Sequence, residues 1–272
     1  MVELMKRESG IQSVSRAFGI LSLFNHNTPR LGITEISRAM NLPKGTVHGL
    51  TRTLLKGGFL QQDPDTSKYY LGLKIYELGV ILAATLEINI KSASPAYQLT
   101  KRTRLVSRIA IWDGNSALIT LIIDPRSYSS FVHQMGPRVP AYCSAVGKVL
   151  LAFLKDEELK AYLDQTELVP YTPHTITQKE KLLREVERTR QRGYSTDREE
   201  TVLGLTCIGA PLFGGGGRLA AAMSLSGDPD RIHGEQGKGL VEVLLRTARE
   251  ISRSMGFFPE TVLKERVIES FR

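Results

Sequence analysis

Residues 34–57 have the sequence TEISRAMNLPKGTVHGLTRTLLKG, which contains two helical patterns separated by a break. Thr34 is a candidate side-chain cap for the first helix, and Asn41 is a suitable residue to end it. Pro43 interrupts the pattern and suits the first turn of a second helix, which ends at Gly57. Two short helices joined by a tight turn predict a helix-turn-helix.

The flanking residues extend this motif to a winged helix. Residues 14–24 carry apolar side chains at helical spacing and predict a preceding helix. Residues 59–62 and 68–71 predict two short strands joined by a turn at 63–67. Because a hairpin follows three helices, the order of elements predicts a winged helix with the hairpin as its wing.

The last of the three helices has an apolar face and a basic face. With about 100° of rotation per residue, Val47, Leu50 and Leu54 fall on the apolar side. Three side chains spaced four residues apart form a basic stripe elsewhere, namely Lys44, His48 and Arg52. The candidate DNA-contacting residues are Lys44, Gly45, Thr46, His48 and Arg52. A solvated charged face is the alternative interpretation, and the neighbouring hairpin favours DNA binding.

The net charge indicates a polyanionic partner. The chain of 272 residues has 36 Lys and Arg against 28 Asp and Glu, a formal net charge of +8. Residues 1–75 hold ten of these basic residues and five of the acidic ones. The excess therefore lies where the winged helix is predicted, as expected if that segment neutralises phosphates. A well-solvated surface remains the alternative.

The sequence does not predict secretion, membrane insertion or a metal centre. The N-terminus has acidic residues where a secretory signal would be basic, and no apolar segment follows it. The most apolar run, residues 78–86, is about half as long as a membrane span. We therefore expect a soluble cytoplasmic protein. Cys143 and Cys207 have no CxxC spacing, which favours two buried thiols over a zinc cluster or a disulfide framework. We predict no metal and no cofactor.

The remainder of the chain predicts a second domain that mixes strands and helices, an α+β fold. Strands are predicted at 105–112 and 117–123, joined by a turn at 113–115, and at 207–213 and 218–226. Helices are predicted at 141–154, 157–163, 179–192 and 235–255. Four consecutive glycines at 214–217 predict a hairpin turn, because no GK[ST] follows them. Since the chain also lacks G-x-S-x-G, we predict that it is not an enzyme.

Several fragments resemble the IclR family of bacterial transcription regulators. In the N-terminal part they are SVSRA at 13–17, TEISR at 34–38, LPKGTVH at 42–48 and YLG at 70–72. In the C-terminal part they are PAYCSAVGKVLLA at 140–152, TPHTIT at 172–177, RGYSTDREE at 192–200, GLTCIGAP at 204–211 and SLSG at 224–227. The resemblance extends from residue 11 to about residue 255.

The resemblance implies four segments: a winged helix-turn-helix at 1–72, a linker helix at 73–91, a GAF-like α/β effector-binding domain at 92–260 and a tail at 261–272. It also implies a dimer, or a dimer of dimers, on a palindromic operator of double-stranded DNA. Residues 73–86 fit a linker helix whose pattern is nearly all apolar. Such a helix packs either within its own subunit or against a second copy.

The resemblance places the effector-binding residues at Ala145, Val146, Asp197, Cys207, Ser224 and Ser226, with Tyr128 and Phe131 as further wall residues. A helix that starts near Tyr142 would offer unpaired amides, from Ser144 onward, to a carboxylate. Ser224 and Ser226 share one face of a strand, although each also fits an ordinary strand serine. Asp197 repels an anion unless it is protonated or accepts from a hydroxyl or amine. A hydroxy, keto or aromatic acid fits this mixture.

Two positions depart from the family pattern. Gly49 stands where these regulators often carry a basic residue, which removes a DNA contact. Residues 141–143, AYC, replace a more usual sequence that contains histidine, so the effector can differ from simple two- or three-carbon acids.

Two other classes of function stay open: an enzyme that acts on a small organic acid and carries a DNA-docking domain, and an architectural DNA-binding protein without a ligand.

Overall fold

A computed structural model of the chain describes residues 10–125 and 136–258. The chain divides into two compact units, one ending at Ala84 and the other beginning at Thr85. Each unit has its own hydrophobic core. Among the described residues, no helix is long and apolar enough to cross a membrane.

The N-terminal unit is a winged helix, as predicted. Its elements are α1 (Gln12–Ser22), α2 (Ile33–Met40), α3 (Lys44–Lys56), β1 (Leu60–Gln62), β2 (Tyr69–Leu71) and α4 (Leu73–Thr85). The two strands pair antiparallel and form the wing. Each of the first three helices sends an apolar side chain into the core, with Ile20, Ile36 and Val47 fully buried. The turn between α2 and α3 passes through Asn41 in the left-handed conformation, with φ of 50°.

The cap predicted for α2 is wrong. Gly32 is the N-cap, and its N–H donates to Glu35 Oε2 at 2.7 Å. Thr34 therefore lies inside the first turn. The chain is held extended up to this point because Leu31 and Tyr69 exchange two backbone hydrogen bonds, of 3.0 and 2.8 Å. This bridge to the wing decides where α2 begins, and it cannot be seen in the local sequence.

The segment predicted as a linker helix contains two helices. After α4 ends, Leu86 has an extended backbone and serves as the N-cap of α5 (Glu87–Thr103). The division between the two units lies just before this break, within the last turn of α4. No residue of α4 is buried, and six of its large apolar side chains are exposed, namely Leu73, Tyr76, Leu78, Val80, Ile81 and Leu82.

The C-terminal unit is built on a six-stranded antiparallel sheet with the order β5-β4-β3-β8-β7-β6. The strands are β3 (Val106–Asp113), β4 (Ser116–Ile123), β5 (Arg138–Pro140), β6 (Ser195–Arg198), β7 (Thr206–Phe213) and β8 (Leu219–Gly227). Besides α5, the helices are α6 (Ala145–Ala152), α7 (Asp156–Gln165), α8 (Lys179–Arg192), α9 (Pro229–His233) and α10 (Glu235–Ser254). The α+β fold is as predicted.

Helices cover both faces of the sheet. Met223 and Leu225 of β8 pack with residues of α5 and α10 on one face. Ala222 of the same strand packs with Val146 and Val149 of α6 on the other face. Because side chains alternate along a strand, Ser224 and Ser226 point to the α6 side, as the period-two rule predicts.

Two predicted turns are confirmed, and two strands were missed. Gly114 and Asn115 join β3 to β4, and the four glycines at 214–217 join β7 to β8. The strands that sequence reasoning missed are β5 and β6. They lie at the two edges of the sheet, are only three and four residues long, and have no apolar alternation.

Candidate DNA surface and effector site

The basic face predicted for α3 is open to solvent. Val47, Thr51 and Leu54 are buried, whereas Lys44, Gly45, His48, Gly49 and Arg52 are exposed and Thr46 is half-buried. A Cβ atom built on Gly45 or Gly49 would meet nothing within 4 Å. The helix backbone beside the stripe is therefore accessible to a large partner.

The wing is held in place by ion pairs. Arg30 pairs with Asp63 at the start of the wing turn, and its guanidinium lies 5.3 Å from the centre of the Tyr70 ring. Asp63 Oδ1 also accepts the N–H groups of Asp65 and Thr66. Lys68 of the wing lies 3.7 Å from a carboxylate oxygen on α2. The basic side chains next to the wing are thus engaged, while the stripe on α3 extends into solvent.

The second candidate site lies on the sheet face that α6 covers. Strand register places side chains there in two rows, the first formed by Asp197, Cys207 and Ser226 and the second by Ser195, Gly209, Ser224 and Arg108. Residues that are directly opposite in an antiparallel sheet share a face, so both rows point toward α6. Four neighbouring strands therefore contribute to one polar surface.

Helix α6 begins three residues later than the position that the sequence prediction used. Ser144 is the N-cap: its Oγ accepts the N–H of Gly147 at 3.2 Å and donates to the carbonyl of Pro140 at 2.7 Å. These two hydrogen bonds of the Ser144 hydroxyl fix the helix start at Ala145, which corrects the expectation of a start near Tyr142. The N–H groups of Ala145 and Val146 in the first turn have no acceptor within the helix, and the Ser144 cap does not accept them either.

A glycine lets α6 approach the sheet closely. A Cβ on Gly209 would lie 2.8 Å from the carbonyl oxygen of Ala145 and 2.6 Å from Ser195 Oγ. That serine donates to the same Ala145 carbonyl at 2.6 Å. The start of α6 is therefore held directly over the two polar rows.

The helix start and the rows enclose a small cavity of about 30 Å³. Six predicted effector residues line it, namely Ala145, Val146, Asp197, Cys207, Ser224 and Ser226, and all six are buried. Sequence reasoning missed five further lining residues, Arg108, Ile119, Val139, Ser144 and Thr201. Tyr128 and Phe131 lie outside the described residues. The one available signal for Arg108 was a charged residue inside an otherwise apolar strand.

The carboxyl group of Asp197 is held by its own loop. Oδ1 accepts the N–H of Glu200 and Oδ2 accepts the hydroxyl of Thr201, both at 2.8 Å. Burial raises the pKa of Asp197 to about 6, although Lys148 acts in the opposite direction. This group is therefore close to its titration point near neutral pH.

Cys207 remains a thiol at neutral pH. Burial, together with the neighbouring Asp197, raises its pKa to about 12. The Cys143 thiol is also buried and free, and burial raises its pKa as well. Within the described residues, no three His, Cys, Asp or Glu side chains are grouped so that they could hold a metal ion.

A winged helix followed by an α+β domain with a polar cavity under a helix start defines the class: a DNA-binding protein with a separate ligand-binding domain. Residues 13–64 match the family model described as the IclR helix-turn-helix domain. Residues 82–253 match the model described as the bacterial transcriptional regulator IclR C-terminal domain. The chain belongs to the IclR family of bacterial transcriptional regulators, and it is a regulator rather than an enzyme.

Relatives of this family cover nearly the whole chain. The HTH-type transcriptional regulator XynR of Escherichia coli K12 is 34% identical over 247 residues, which are 91% of this chain and 98% of that protein. The crystal structure of Thermotoga maritima IclR is 31% identical, covers 91% of this chain and 100% of its own, and superposes with a TM-score of 0.69. An IclR homologue from Microbacterium hydrocarbonoxydans, complexed with 4-hydroxybenzoate, shares the fold at 22% identity, with a TM-score of 0.77 over 90% and 99% of the chains.

Proposed function

We propose that this protein binds a palindromic operator as a dimer or a dimer of dimers in the bacterial cytoplasm, and that a small organic acid in the α6 cavity changes its affinity for that operator. The observation that supports this most strongly is the convergence of the predicted effector residues on one cavity. These residues come from α6 and from the three consecutive strands β6, β7 and β8, which follow it in the chain. The exposed stripe on α3 supports the DNA-binding part.

On the DNA side, we propose that α3 is the recognition helix. Lys44, His48 and Arg52 would contact phosphates or base edges from one face of the helix. Gly45 would allow the helix backbone to approach the DNA, and Thr46 lies in the first turn of α3, where helix amides can also bind phosphate. These contacts account for the concentration of positive charge in the N-terminal part of the chain.

For self-association, we propose that α4 packs against α4 of a second copy. Leu73 and Tyr76 are 73% and 75% exposed, and the other large apolar side chains of α4 are exposed as well. A helix that exposes this many large apolar side chains, around most of its circumference, needs a cover in water, and two-fold symmetry lets identical surfaces cover each other. Such a dimer would carry two α3 helices and would match the two halves of a palindrome.

On the ligand side, the cavity offers groups for both an anion and a hydrogen-bond donor. The amides of Ala145 and Val146 suit a carboxylate at the start of a helix. Asp197 suits a hydroxyl or amine, and Ser224 and Ser226 can donate or accept. A hydroxy, keto or aromatic acid would satisfy these groups, and the cavity of about 30 Å³, which is about the size of one water molecule, would have to widen to admit it. Ligand and operator affinities would then be reciprocally coupled, typically by about 5- to 150-fold.

The proposal can be tested with the purified full-length chain. An operator is first selected from a pool of random duplex DNA, and its sequence should be a palindrome. A thermal-shift screen with hydroxy, keto and aromatic acids, including 4-hydroxybenzoate, then identifies acids that stabilise the protein. We expect at least one such acid to change the operator affinity. Selection of no sequence above bulk DNA would contradict the DNA-binding part, and a protein that no acid stabilises would be an architectural one.

A further inference from the structure

A cavity larger than the effector cavity lies between α8 and the edge strand β6. Its volume is about 360 Å³, against about 30 Å³ for the effector cavity. A space of that size is typical of sites that enclose a small molecule. We call it the α8 cleft, after the helix that supplies Glu185, Arg188 and Arg192 to its wall. Among the residues that the structure describes, the two cavities have no lining residue in common.

The floor of the α8 cleft contains an unsatisfied carboxylate oxygen. Lys148 and Glu200 line the cleft with buried side chains, and Glu200 is only 5% exposed. Its Oε1 accepts from Lys148 Nζ, whereas its Oε2 is buried and has no hydrogen-bond partner in the described part of the chain. A buried acceptor without a donor is costly, so a ligand that donates an O–H or N–H to this oxygen would be stabilised.

The α8 cleft also has an excess of positive charge. Its described lining contains four cationic side chains and two carboxylates, namely Lys148, Arg188, Arg192, Arg198, Glu185 and Glu200. Glu200 pairs with Lys148, and Glu185 accepts from Arg192 Nη2 at 2.7 Å. These two pairs leave two positive charges in excess.

The excess charge belongs to two arginines at the mouth of the cleft. Arg188 Nη1 lies 3.9 Å from Glu185 Oε2, which is too far for a hydrogen bond, and the Arg188 side chain is 70% exposed. Arg198 is exposed as well, and within residues 10–125 and 136–258 its guanidinium has no ion pair or hydrogen bond. Both guanidinium groups are therefore available to an anion.

We propose that the α8 cleft binds a phosphate monoester that carries hydroxyl groups, such as a polyol or sugar phosphate. The phosphate would lie at Arg188 and Arg198, and a hydroxyl would donate to Glu200 Oε2. A phosphate monoester has about 1.5 to 2 negative charges at pH 7, which matches the two excess positive charges, whereas a monocarboxylate has one. Guanidinium groups bind phosphate through paired, charge-assisted hydrogen bonds.

The α8 cleft is separate from the effector cavity. Thr196 and Arg198 alternate with Asp197 along β6, so they point away from the cavity that Asp197 lines. This second site goes beyond the proposed function, and substitutions of Arg188 or Arg198 leave the lining of the effector cavity unchanged. The two sites meet at one loop, because the N–H of Glu200 donates to Asp197 Oδ1 at 2.8 Å.

Glycerol 3-phosphate is a suitable probe because it combines a phosphate monoester with hydroxyl groups. Methyl phosphate is its counterpart without hydroxyl groups. Thermal unfolding of the full-length protein is measured against each compound, with sodium chloride at equal ionic strength as the reference. The variants are Arg188→Gln, Arg198→Gln and the combination of both. Arg246→Gln on α10 changes an exposed arginine outside the cleft and is the matched control.

We expect saturable stabilisation by glycerol 3-phosphate in the wild type and in Arg246→Gln. The half-saturating concentration should rise at least threefold in each single cleft variant and at least tenfold in the double variant. No saturable response in the wild type, or equal responses in all variants, would overturn the proposal. Methyl phosphate should need at least a threefold higher concentration than glycerol 3-phosphate, and equal binding of the two compounds would overturn the role of Glu200.

The basic stripe on α3 is another surface that attracts phosphate, and Lys44→Ala and Arg52→Ala distinguish it from the cleft. These two variants should respond to glycerol 3-phosphate as the wild type does. If they lose the response while the double cleft variant keeps it, the phosphate binds at the DNA surface and the proposal is wrong.

Discussion

Lys148 Nζ and Glu200 Oε1 form a buried ion pair that ties α6 to the loop after β6. The two side chains are 1% and 6% exposed. Lys148 Nζ also donates to the carbonyl of Thr196 at 3.0 Å, and the N–H of Glu200 donates to Asp197 Oδ1 at 2.8 Å. The ion pair therefore fixes the position of the cavity carboxylate relative to the helix start.

Removing one partner of this pair should be strongly destabilising. Lys148→Met leaves Glu200 buried without its counter-charge, and we expect a loss of about 3–5 kcal/mol in the free energy of unfolding. The double variant Lys148→Met/Glu200→Leu should recover much of that loss, since it buries no charge. Urea unfolding followed by circular dichroism measures these two variants and the single variant Glu200→Leu. If the double variant loses the sum of the two single losses, the two groups are not coupled.

Asp197→Asn should make the protein more stable at neutral pH. The pKa of Asp197 is raised from 3.8 to about 6, so between these values the unfolded chain ionises first and stability falls as pH rises. Above about pH 6 the full effect is present, and the variant should gain up to about 3 kcal/mol at pH 7.5. Near pH 5 the gain should be about half as large. Urea unfolding at the two pH values measures the difference, and a gain that does not change with pH would contradict this account.

The sequence was sufficient for elements whose signal is local. The buried and exposed faces of α3 follow from the helical repeat, and the turn at Gly114 follows from its local sequence. The structure confirms both. Ser224 and Ser226 were correctly placed on one face, because strand periodicity does not depend on the rest of the fold. The start of α2 was wrong, since a bridge between Leu31 and a distant strand sets it.

The positions of the charged residues at the cavity depend on contacts between segments that are distant in sequence. Arg108 faces α6 because β3 pairs with β8, which is more than 100 residues away in the chain. Lys148 lies in a helix that otherwise carries small and apolar residues, and its partner comes from the loop after an edge strand. No local pattern indicates either relationship. Both could be recognised only as charged residues within apolar segments.

Gly209→Ala should disturb the contact between α6 and the sheet. The added Cβ would lie 2.8 Å from the carbonyl oxygen of Ala145, which is backbone and cannot rotate away. We expect a loss of about 1–3 kcal/mol in the free energy of unfolding. Gly239→Ala on α10 is the matched control, because a Cβ there meets nothing within 4 Å and should stabilise the helix by about 0.5–1 kcal/mol. If the two substitutions have equal effects in urea unfolding, α6 does not depend on a close approach to the sheet at Gly209.

Lys44→Ala and Arg52→Ala should weaken DNA binding. If either side chain contacts a phosphate, its removal should also reduce the slope of log affinity against log salt by about one. Lys160→Ala removes an exposed lysine of α7 and should leave both quantities unchanged. Fluorescence anisotropy with a labelled operator at several salt concentrations measures the effect. Wild-type affinity in both α3 variants would exclude the stripe from the interface.

The most direct test of the account is the ratio of operator dissociation constants with and without a saturating acid that stabilises the protein. Fluorescence anisotropy with the wild-type chain measures it. We predict a change of about 5- to 150-fold, and the operator should change the affinity for the acid by the same factor. An acid that binds in the cavity and leaves the operator affinity unchanged would contradict the account.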